Sequence, residues 1–332
     1  MLATLVHTLH PMAIEIGNGF GIRWYGLAYA AGFFLAWLVM RWMAKTQRIL
    51  LTPEQVGDLM TYLIAGVIVG GRVGHVVFYE PQLLTTFHPE FPWWGLLDIH
   101  RGGMSSHGGI VGTIIASALF ARRIGVPALH VIDAMAFVSP MGLSLGRLAN
   151  WVNGELPGRV LPTAMQGAPP WWSVKYPSEV LNPGFDHSRL EPLAKLVDPS
   201  QPLPDALYDA AYSGRHDVIA ALEPVLTAHY PNNFIQATTD GPLLLMAMAV
   251  VWLRPRKPGA VAATFLVAYG GLRMGSEQFR EIDEGVLMVG PLTLPMVLSL
   301  SMIAIGVALA VWSMRQPAPL VGGLLDSRAV QK

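Results

Sequence analysis

The stretch WYGLAYAAGFFLAWLVMRWM, residues 24–43, is almost wholly apolar and carries a single charged side chain, Arg41. A helix of about twenty such residues is long enough to cross the hydrocarbon core of a bilayer. The whole chain has the same character, since 52% of its 332 residues are hydrophobic and 13% are charged. Soluble proteins carry about 25% charged residues. The composition therefore predicts an integral membrane protein.

Six further stretches have the length or the hydropathy of a spanning helix. The seven predicted spans are Trp24–Met43, Val56–Tyr79, His107–Phe120, Val131–Val152, Gly241–Leu253, Val261–Phe279 and Leu294–Met314. The third and fifth are short, and we expect them to extend into flanking residues. The predicted fold class is an all-α polytopic membrane protein with seven transmembrane helices.

The positions of Lys and Arg predict the orientation of these spans, because short basic loops stay on the cytoplasmic side. With the N-terminus outside, every inner connection is basic: Arg41/Lys45/Arg48, Arg122/Arg123, Arg254/Arg256/Lys257 and Arg315/Arg328/Lys332. The first residues, MLATLVHTLHPMAIEIG, lack the basic start and long apolar run of a signal peptide, so we expect none. The prediction is a periplasmic N-terminus and a cytoplasmic C-terminus.

A long segment, residues 154–240, separates the fourth and fifth predicted spans and is expected on the extracytoplasmic side. It begins rich in Pro and Trp and then shows helical spacing in PDALYDAAYSGRHDVIAALEPVLTAHYP. We expect one integral-membrane catalytic domain, residues 1–332, with this segment inserted in it. The segment either caps the bundle or guides a substrate, and the sequence favours neither.

Several classes of protein and of site are excluded by composition. The net charge is zero, which does not fit a nucleic-acid binder. The chain has no cysteine, so it has no disulfide, no thiolate metal site and no cysteine nucleophile. The spans show no histidine and carboxylate spacing typical of a metal site, and we expect neither metal nor cofactor.

Polar side chains inside the predicted spans are the strongest functional signal. A charged group at the centre of a membrane helix costs at least about 2.5 kcal/mol, so such groups are functional candidates by default. Under the predicted orientation they fall in the outer half of five spans, and we expect them to share one outward-facing cavity. They are Arg23, Tyr25, Arg72, His75, His107, Arg147, Asn150, Asn153, Tyr269, Arg273, Glu277 and Arg280.

Arg147 and Arg273 point to an anion, because Glu277 is the only nearby carboxylate on a predicted span. A phosphate suits two guanidinium groups. Glu277 paired with Arg273 or Arg280 is an alternative that would lock the bundle without binding anything. Arg72 has an alternative reading too, as a side chain that extends to the membrane interface.

His107 lies in GGMSSHGGIVG, beside glycines that permit close helix packing. An imidazole titrates near neutral pH and suits general acid/base chemistry. A hydrogen-bonded histidine of the core is the alternative.

Five blocks carry a resemblance to a known family: RWYGLAYAAGF, GGRVGHVVFYE, GGMSSHGGIVG, GRLANWVNGELPGR and KPGAVAATFLVAYGGLRMGSEQFR. By these blocks the chain resembles the prolipoprotein diacylglyceryl transferases of the bacterial plasma membrane. The resemblance implies transfer of the diacylglyceryl group of phosphatidylglycerol to the thiol of the lipobox cysteine of a prolipoprotein. A thioether forms and glycerol phosphate leaves, with the active site on the periplasmic side and without a cofactor.

The resemblance assigns importance to Tyr25, His107, Arg147, Asn150, Gly158, Tyr269, Arg273 and Glu277. It makes Arg147 the arginine that binds phosphatidylglycerol. Our hypothesis is that Arg147 and Arg273 bind the lipid phosphate and that His107 accepts the thiol proton. The phosphate cradle formed by the two arginines is completed by Asn150, Asn153, Tyr269 and backbone near Gly158. Tyr25 is grouped with the catalytic residues, and Glu155, Glu277 and Arg72 are supporting residues.

The chain departs from the family pattern at YPNNFIQATTDG, where Tyr230, Asn232, Asn233, Ile235 and Gln236 replace more polar or charged residues. No role is carried over to these positions. Two rival functions remain. An anionic-lipid transporter or flippase would also need outward arginines, whereas a membrane scaffold would pair its polar residues internally.

Overall fold

The computed structural model describes residues 4–17, 20–99, 102–281 and 288–325, so Arg328 and Lys332 of the predicted basic tail lie outside the described residues. Its helices are α1 Trp24–Lys45, α2 Pro53–Phe78, α3 Ser106–Ile124, α4 Ala128–Val152, α5 Thr163–Gln166, α6 Leu203–Tyr212, α7 His216–Leu222, α8 Asn232–Thr238, α9 Leu244–Val251, α10 Ala260–Ser276 and α11 Leu294–Arg315. A π-helical turn, Thr239–Leu243, joins α8 to α9. Short 3₁₀ helices cover Pro81–Leu84, Gly95–Leu97, Pro177–Leu181, His187–Leu196 and Glu277–Phe279.

The strands are short and lie in three two-stranded sheets. They are β1 Leu5–Val6, β2 Met12–Gly17, β3 Phe20–Arg23, β4 Val174–Lys175, β5 Met288–Val289 and β6 Leu292–Thr293. β1 pairs in parallel with β4, whereas β2 pairs with β3 and β5 with β6 in antiparallel fashion. The described part of the chain is therefore a helical protein with small sheets in its connections.

Each of the seven predicted spans overlaps a helix. Among the described residues, five helical stretches are long and apolar enough to cross a membrane: α1, α2, α4, Asn232–Val251 and α11. The helices α3 and α10 are not among the five, so the count of seven spans stays a prediction. Five such stretches support a multi-pass membrane protein.

Two predicted boundaries are wrong. The fifth predicted span starts at Gly241, but the helix starts at Asn232, so the last part of the predicted outer segment is helical. The sixth was predicted to run to Phe279, but α10 ends at Ser276 and a 3₁₀ turn follows. Tyr269 and Arg273 therefore lie on α10, whereas Glu277 lies in the 3₁₀ turn and Arg280 follows it.

Residue contacts divide the chain into two compact units. The first unit comprises Met1–Gly32, Met141–Leu244 and Tyr269–Ser301. The second unit comprises Phe33–Pro140, Leu245–Ala268 and Met302–Lys332.

In the first unit, the segment that follows α4 has a hydrophobic core of its own. The predicted helical stretch forms α6 and α7. Their apolar faces pack with residues of two 3₁₀ helices, and the buried members of this core are Val180, Leu190, Leu207, Ala211, Val218, Leu222 and Leu226. Burying a side chain such as leucine stabilises a fold by about 1.5–3 kcal/mol. The segment is thus a packed module and not an extended loop.

In the second unit, local signals set where the helices start and stop. Thr52 and Gln55 form a reciprocal capping box at the start of α2, and Pro53 occupies its first turn. Ser105 accepts a hydrogen bond from the backbone of Gly108 at the start of α3, which ends at Gly125 in the left-handed conformation.

Glycines on α2 and α3 bring the two helix backbones into direct contact. A Cβ atom added at Gly112 would lie 2.0 Å from the carbonyl oxygen of Gly66, and one at Gly70 would lie 2.4 Å from that of Gly108. Both distances are too short for any side chain. Small residues are a common means of packing membrane helices closely. The close helix packing expected from the glycines of GGMSSHGGIVG is confirmed at Gly108 and Gly112.

A pair of variants on α3 tests this packing. We expect Gly112→Ala to destabilise the protein by about 1–3 kcal/mol, because backbone atoms must move apart to admit the methyl group. Gly109→Ala is the matched control, since its Cβ would lie 3.8 Å from the nearest atom, the carbonyl oxygen of Val67. Alanine at that helical position should be neutral or stabilising by about 0.5–1 kcal/mol. Thermal unfolding in detergent measures both, and equal transition temperatures for the two variants would contradict the close contact.

Candidate active site

The central polar contact of the first unit joins Arg147 on α4 to Asp240 in the π-helical turn. The Nε of Arg147 donates to Oδ2 of Asp240 at 2.8 Å. The Asp240 side chain is fully buried, and that of Arg147 is 16% exposed. The expectation that Glu277 is the only carboxylate available to these arginines is therefore wrong. Sequence reasoning missed Asp240 because it placed this residue at the end of the outer segment.

Arg273 lies near the end of α10 and pairs with Glu277 in the following 3₁₀ turn. Their Nη2 and Oε2 atoms are 2.9 Å apart, and Nη1 of Arg280 lies 3.8 Å from Oε1 of the same carboxylate. Arg273 and Glu277 are both buried. Glu277 thus forms an internal ion pair, whereas binding of an anion by Arg273 stays a prediction. Nevertheless, Nη1 of Arg273 is buried and has no hydrogen-bond partner among the described residues.

Tyr269, one turn before Arg273 on α10, contacts the other arginine. Its hydroxyl oxygen accepts a hydrogen bond from the guanidinium of Arg147. The guanidinium of Arg147 therefore holds a carboxylate and a phenol. That of Arg273 holds a carboxylate, and within the described part of the chain one of its nitrogens has no acceptor. A buried donor without a partner is costly. The arrangement suits an additional acceptor such as a phosphate oxygen.

Asn150 lies one turn after Arg147 on α4 and is also buried. Its Oδ1 accepts a short hydrogen bond from the hydroxyl of Tyr25 on α1. Asn153 follows one turn later, and its Nδ2 donates to Oε1 of Glu155 at 3.2 Å. The first unit thus brings Tyr25, Asn150 and the two arginines into one polar region, and Glu155 supports its edge through Asn153.

The loop Asn153–Gly158 turns back sharply after α4. Gly154 and Leu156 both have positive φ, of 69° and 53°. Two asparagines at the start of α8 hold this loop: Asn233 donates to the carbonyl oxygen of Glu155 at 2.9 Å and Asn232 to that of Leu156 at 3.0 Å. The divergent stretch YPNNFIQ therefore anchors the loop, which sequence reasoning did not predict.

Gly158 closes the loop in a space that admits no side chain. A Cβ at this position would lie 2.1 Å from the carbonyl oxygen of Tyr230. Its backbone also bridges to Arg280, and its carbonyl oxygen accepts a hydrogen bond from His229. The glycine is needed for close backbone packing, while its predicted part in a phosphate cradle is not tested by these contacts.

His7 supports α4 from the N-terminal segment and was not a sequence candidate. Its Nδ1 lies 2.9 Å from the hydroxyl of Tyr212, and its ring contacts the edge of Trp151, the neighbour of Asn150. Burial lowers the pKa of the His7 imidazole, so the ring is neutral at pH 7. His7 thereby ties the packed module to the helix that carries Arg147.

Three sequence candidates, Arg72, His75 and His107, belong to the second unit. The guanidinium of Arg72 is buried and donates to the backbone carbonyl oxygens of Gly95, Leu96, Gly102 and Gly103 at 2.6–3.1 Å. Its head group therefore holds the loop between α2 and α3, while its position relative to the membrane interface stays a prediction. His107 lies in the first turn of α3 with an exposed side chain. The single cavity expected for all the polar residues stays a prediction.

Comparison with known proteins adds independent evidence. A family model described as prolipoprotein diacylglyceryl transferase matches residues 11–312. A protein of Bdellovibrio bacteriovorus named phosphatidylglycerol–prolipoprotein diacylglyceryl transferase is 37% identical, over 93% of this chain and 94% of its own. Proteins of the same name from Bradyrhizobium diazoefficiens and Rhodospirillum rubrum are 33% and 34% identical, and the matches cover 93% or more of each chain.

These matches extend over almost the whole length of the chain and include every candidate residue of both units. They agree with the resemblance carried by the blocks around Tyr25, His107, Arg147 and Arg273. The chain belongs to the prolipoprotein diacylglyceryl transferase family.

Proposed function

We propose that this protein transfers the diacylglyceryl group of phosphatidylglycerol to the thiol of the lipobox cysteine of a prolipoprotein. This is the first step of bacterial lipoprotein maturation. The names of the relatives support both substrates. The observation that carries the proposal is the pair formed by the part-buried Arg147 and the buried Arg273. One nitrogen of Arg273 has no hydrogen-bond acceptor among the described residues. A transporter or flippase for anionic lipids is not favoured, because the relatives are transferases by name.

In the proposed reaction the peptide sulfur attacks the glycerol carbon that bears the phosphate. A carbon–sulfur bond forms, the carbon–oxygen bond breaks, and glycerol phosphate leaves with the bonding electrons. Negative charge grows on the departing phosphate oxygen, so donors aimed at it lower the barrier directly. Arg147 and Arg273 supply these donors, and Asn150, Asn153 and the backbone near Gly158 complete the cradle.

His107 accepts the thiol proton in this proposal. A cysteine with a pKa near 8.5 is only a few per cent thiolate at neutral pH, so activation by a base is the usual remedy. The chain has no cysteine of its own, and the sulfur arrives on the peptide. Tyr25 orients Asn150, Glu277 holds Arg273, and Asp240 holds Arg147.

The proposed setting is the bacterial inner membrane, with seven spans, a periplasmic N-terminus and the active site on the periplasmic side. The basic loops support this orientation. Residues 154–240 are proposed as an extracytoplasmic segment within a single catalytic domain, residues 1–332. Their separate hydrophobic core supports a folded module on that side.

Substitution of Arg147 and of His107 tests the proposed mechanism. We expect Arg147→Ala to reduce transfer at least about 100-fold, since removal of one donor from an oxyanion site has that order of effect. We expect His107→Asn and His107→Gln to reduce it about 100-fold, the lower range for loss of a general base. The assay is mass spectrometry of a lipobox peptide, looking for the added diacylglyceryl mass. Arg123→Ala is the control, because this exposed arginine of α3 donates to the hydroxyl of Tyr62 and is not a candidate site residue.

The substitutions of Arg147 and His107 test two separate parts of the proposal. Full activity of Arg147→Ala would remove the phosphate site. Near-normal turnover in both His107 variants would exclude the imidazole as the base and leave the phosphate site intact.

Asp240 is proposed as a positioning residue that acts through Arg147. Asp240→Asn keeps an oxygen for Nε but removes the charge, and we expect kcat/KM for phosphatidylglycerol to fall about tenfold. In an Arg147→Ala background the same substitution should have no further effect, because coupled residues are not additive. Asp217→Asn is the control, since Asp217 forms an exposed ion pair with Arg215 in the same unit. Equal losses in both backgrounds would mean that Asp240 acts on the fold and not on Arg147.

Site-directed labelling tests the orientation, and the absence of cysteine makes every introduced thiol unique. Ala194 is exposed in a 3₁₀ helix of the inserted segment, and Arg122 is exposed in the last turn of α3. We expect a membrane-impermeant maleimide to label Ala194→Cys, and not Arg122→Cys, in right-side-out membrane vesicles. Inverted vesicles should give the opposite pattern. The reverse result would overturn the proposed orientation.

A further inference from the structure

A stripe of polar side chains runs along one face of the helix that starts at Asn232. Asn232, Gln236 and Asp240 are spaced four residues apart, and all three are fully buried. Residues at this spacing lie above one another on a helix. Three consecutive polar residues on a buried helical face are unusual, because each polar group must find a partner away from water.

The two ends of the stripe bind the candidate active site. Asn232 donates to the carbonyl oxygen of Leu156, in the loop that follows Asn150 and Asn153. Asp240 accepts from Arg147. Between them, the carbonyl oxygen of Ala237 accepts a hydrogen bond from Ser144, one turn before Arg147 on α4. The stripe therefore faces α4 and its loop, and Gln236 occupies its middle position.

Gln236 differs from its neighbours because neither end of its amide is used. Both Nε2 and Oε1 are buried, and neither has a hydrogen-bond partner among the described residues. An amide presents donors and an acceptor side by side, which complements a hydroxyl group that both accepts and donates. Since the amide is neutral, it adds no negative charge beside the proposed phosphate site.

We propose that Gln236 recognises a hydroxyl of the glycerol headgroup of phosphatidylglycerol and is a specificity-determining residue. The inference rests on the proposed function, in which Arg147 and Arg273 hold the phosphate. The headgroup glycerol is attached to that phosphate, so its hydroxyls lie within a few bonds of the arginines. Asp240 binds Arg147 one helical turn from Gln236, so the amide lies on the same helical face as the carboxylate that holds this arginine.

The experiment compares two lipids that differ only in the headgroup hydroxyls. Phosphatidylglycerol carries two, whereas phosphatidylpropanol has the same three carbons and none. The wild type and Gln236→Met, which keeps the volume and removes the hydrogen bonds, are assayed for kcat/KM of transfer to a lipobox peptide. Gln236→Leu is the second variant in case the first folds poorly, and Gln201→Leu, at an exposed glutamine of the same unit, is the control.

We expect the wild type to prefer phosphatidylglycerol and Gln236→Met to lose about tenfold on this lipid alone. Transfer from phosphatidylpropanol should be unchanged, so the preference falls by the same factor. Equal losses on both lipids, or no loss on either, would overturn the role of Gln236 while leaving the transferase intact. Failure of the wild type to transfer from either lipid would instead overturn the proposed function, and this inference with it.

Discussion

The ion pair between the part-buried Arg147 and the fully buried Asp240 is the contact on which the rest of the site depends. A charged side chain in a membrane helix is costly, and a buried charge without a partner costs several kcal/mol. The partner comes from a residue far along the chain, in a π-helical turn. Such turns are frequent at functional sites. Pairing through Nε at 2.8 Å fixes the direction of the guanidinium and lets the same group reach Tyr269.

Around this pair, backbone packing does much of the positioning. Gly158 fits only because it has no Cβ, and Asn232 and Asn233 hold the loop Asn153–Gly158 through its carbonyl groups. In the second unit Arg72 likewise fastens a loop through four carbonyl oxygens. In both units a polar side chain orders an irregular segment by satisfying backbone acceptors. This is the usual requirement for non-helical backbone beside a membrane.

Local features of the sequence were predictable, and long-range pairings were not. Each of the seven spans predicted from hydropathy overlaps a helix, because hydropathy depends on neighbouring residues alone. The fifth predicted span started at Gly241, and so Asp240 was placed outside the helix. A π turn tolerates Pro242, since the turn already disrupts the normal hydrogen bonding. The hydrogen-bond acceptors of Arg72 could not be predicted from the sequence, because they are backbone atoms. The role of Asn232 and Asn233 could not be predicted either, because it depends on a loop far from them in the chain.

The carboxylates beside the arginines have a consequence for the proposed chemistry. The substrate phosphate is a diester with one negative charge, whereas the released glycerol phosphate is a monoester with nearly two. Bare arginines would hold the product more tightly than the substrate and delay its release. Asp240 and Glu277 moderate this attraction while leaving donors that act on the developing charge. Because only interactions that strengthen in the transition state accelerate a reaction, paired arginines suit turnover better than unpaired ones.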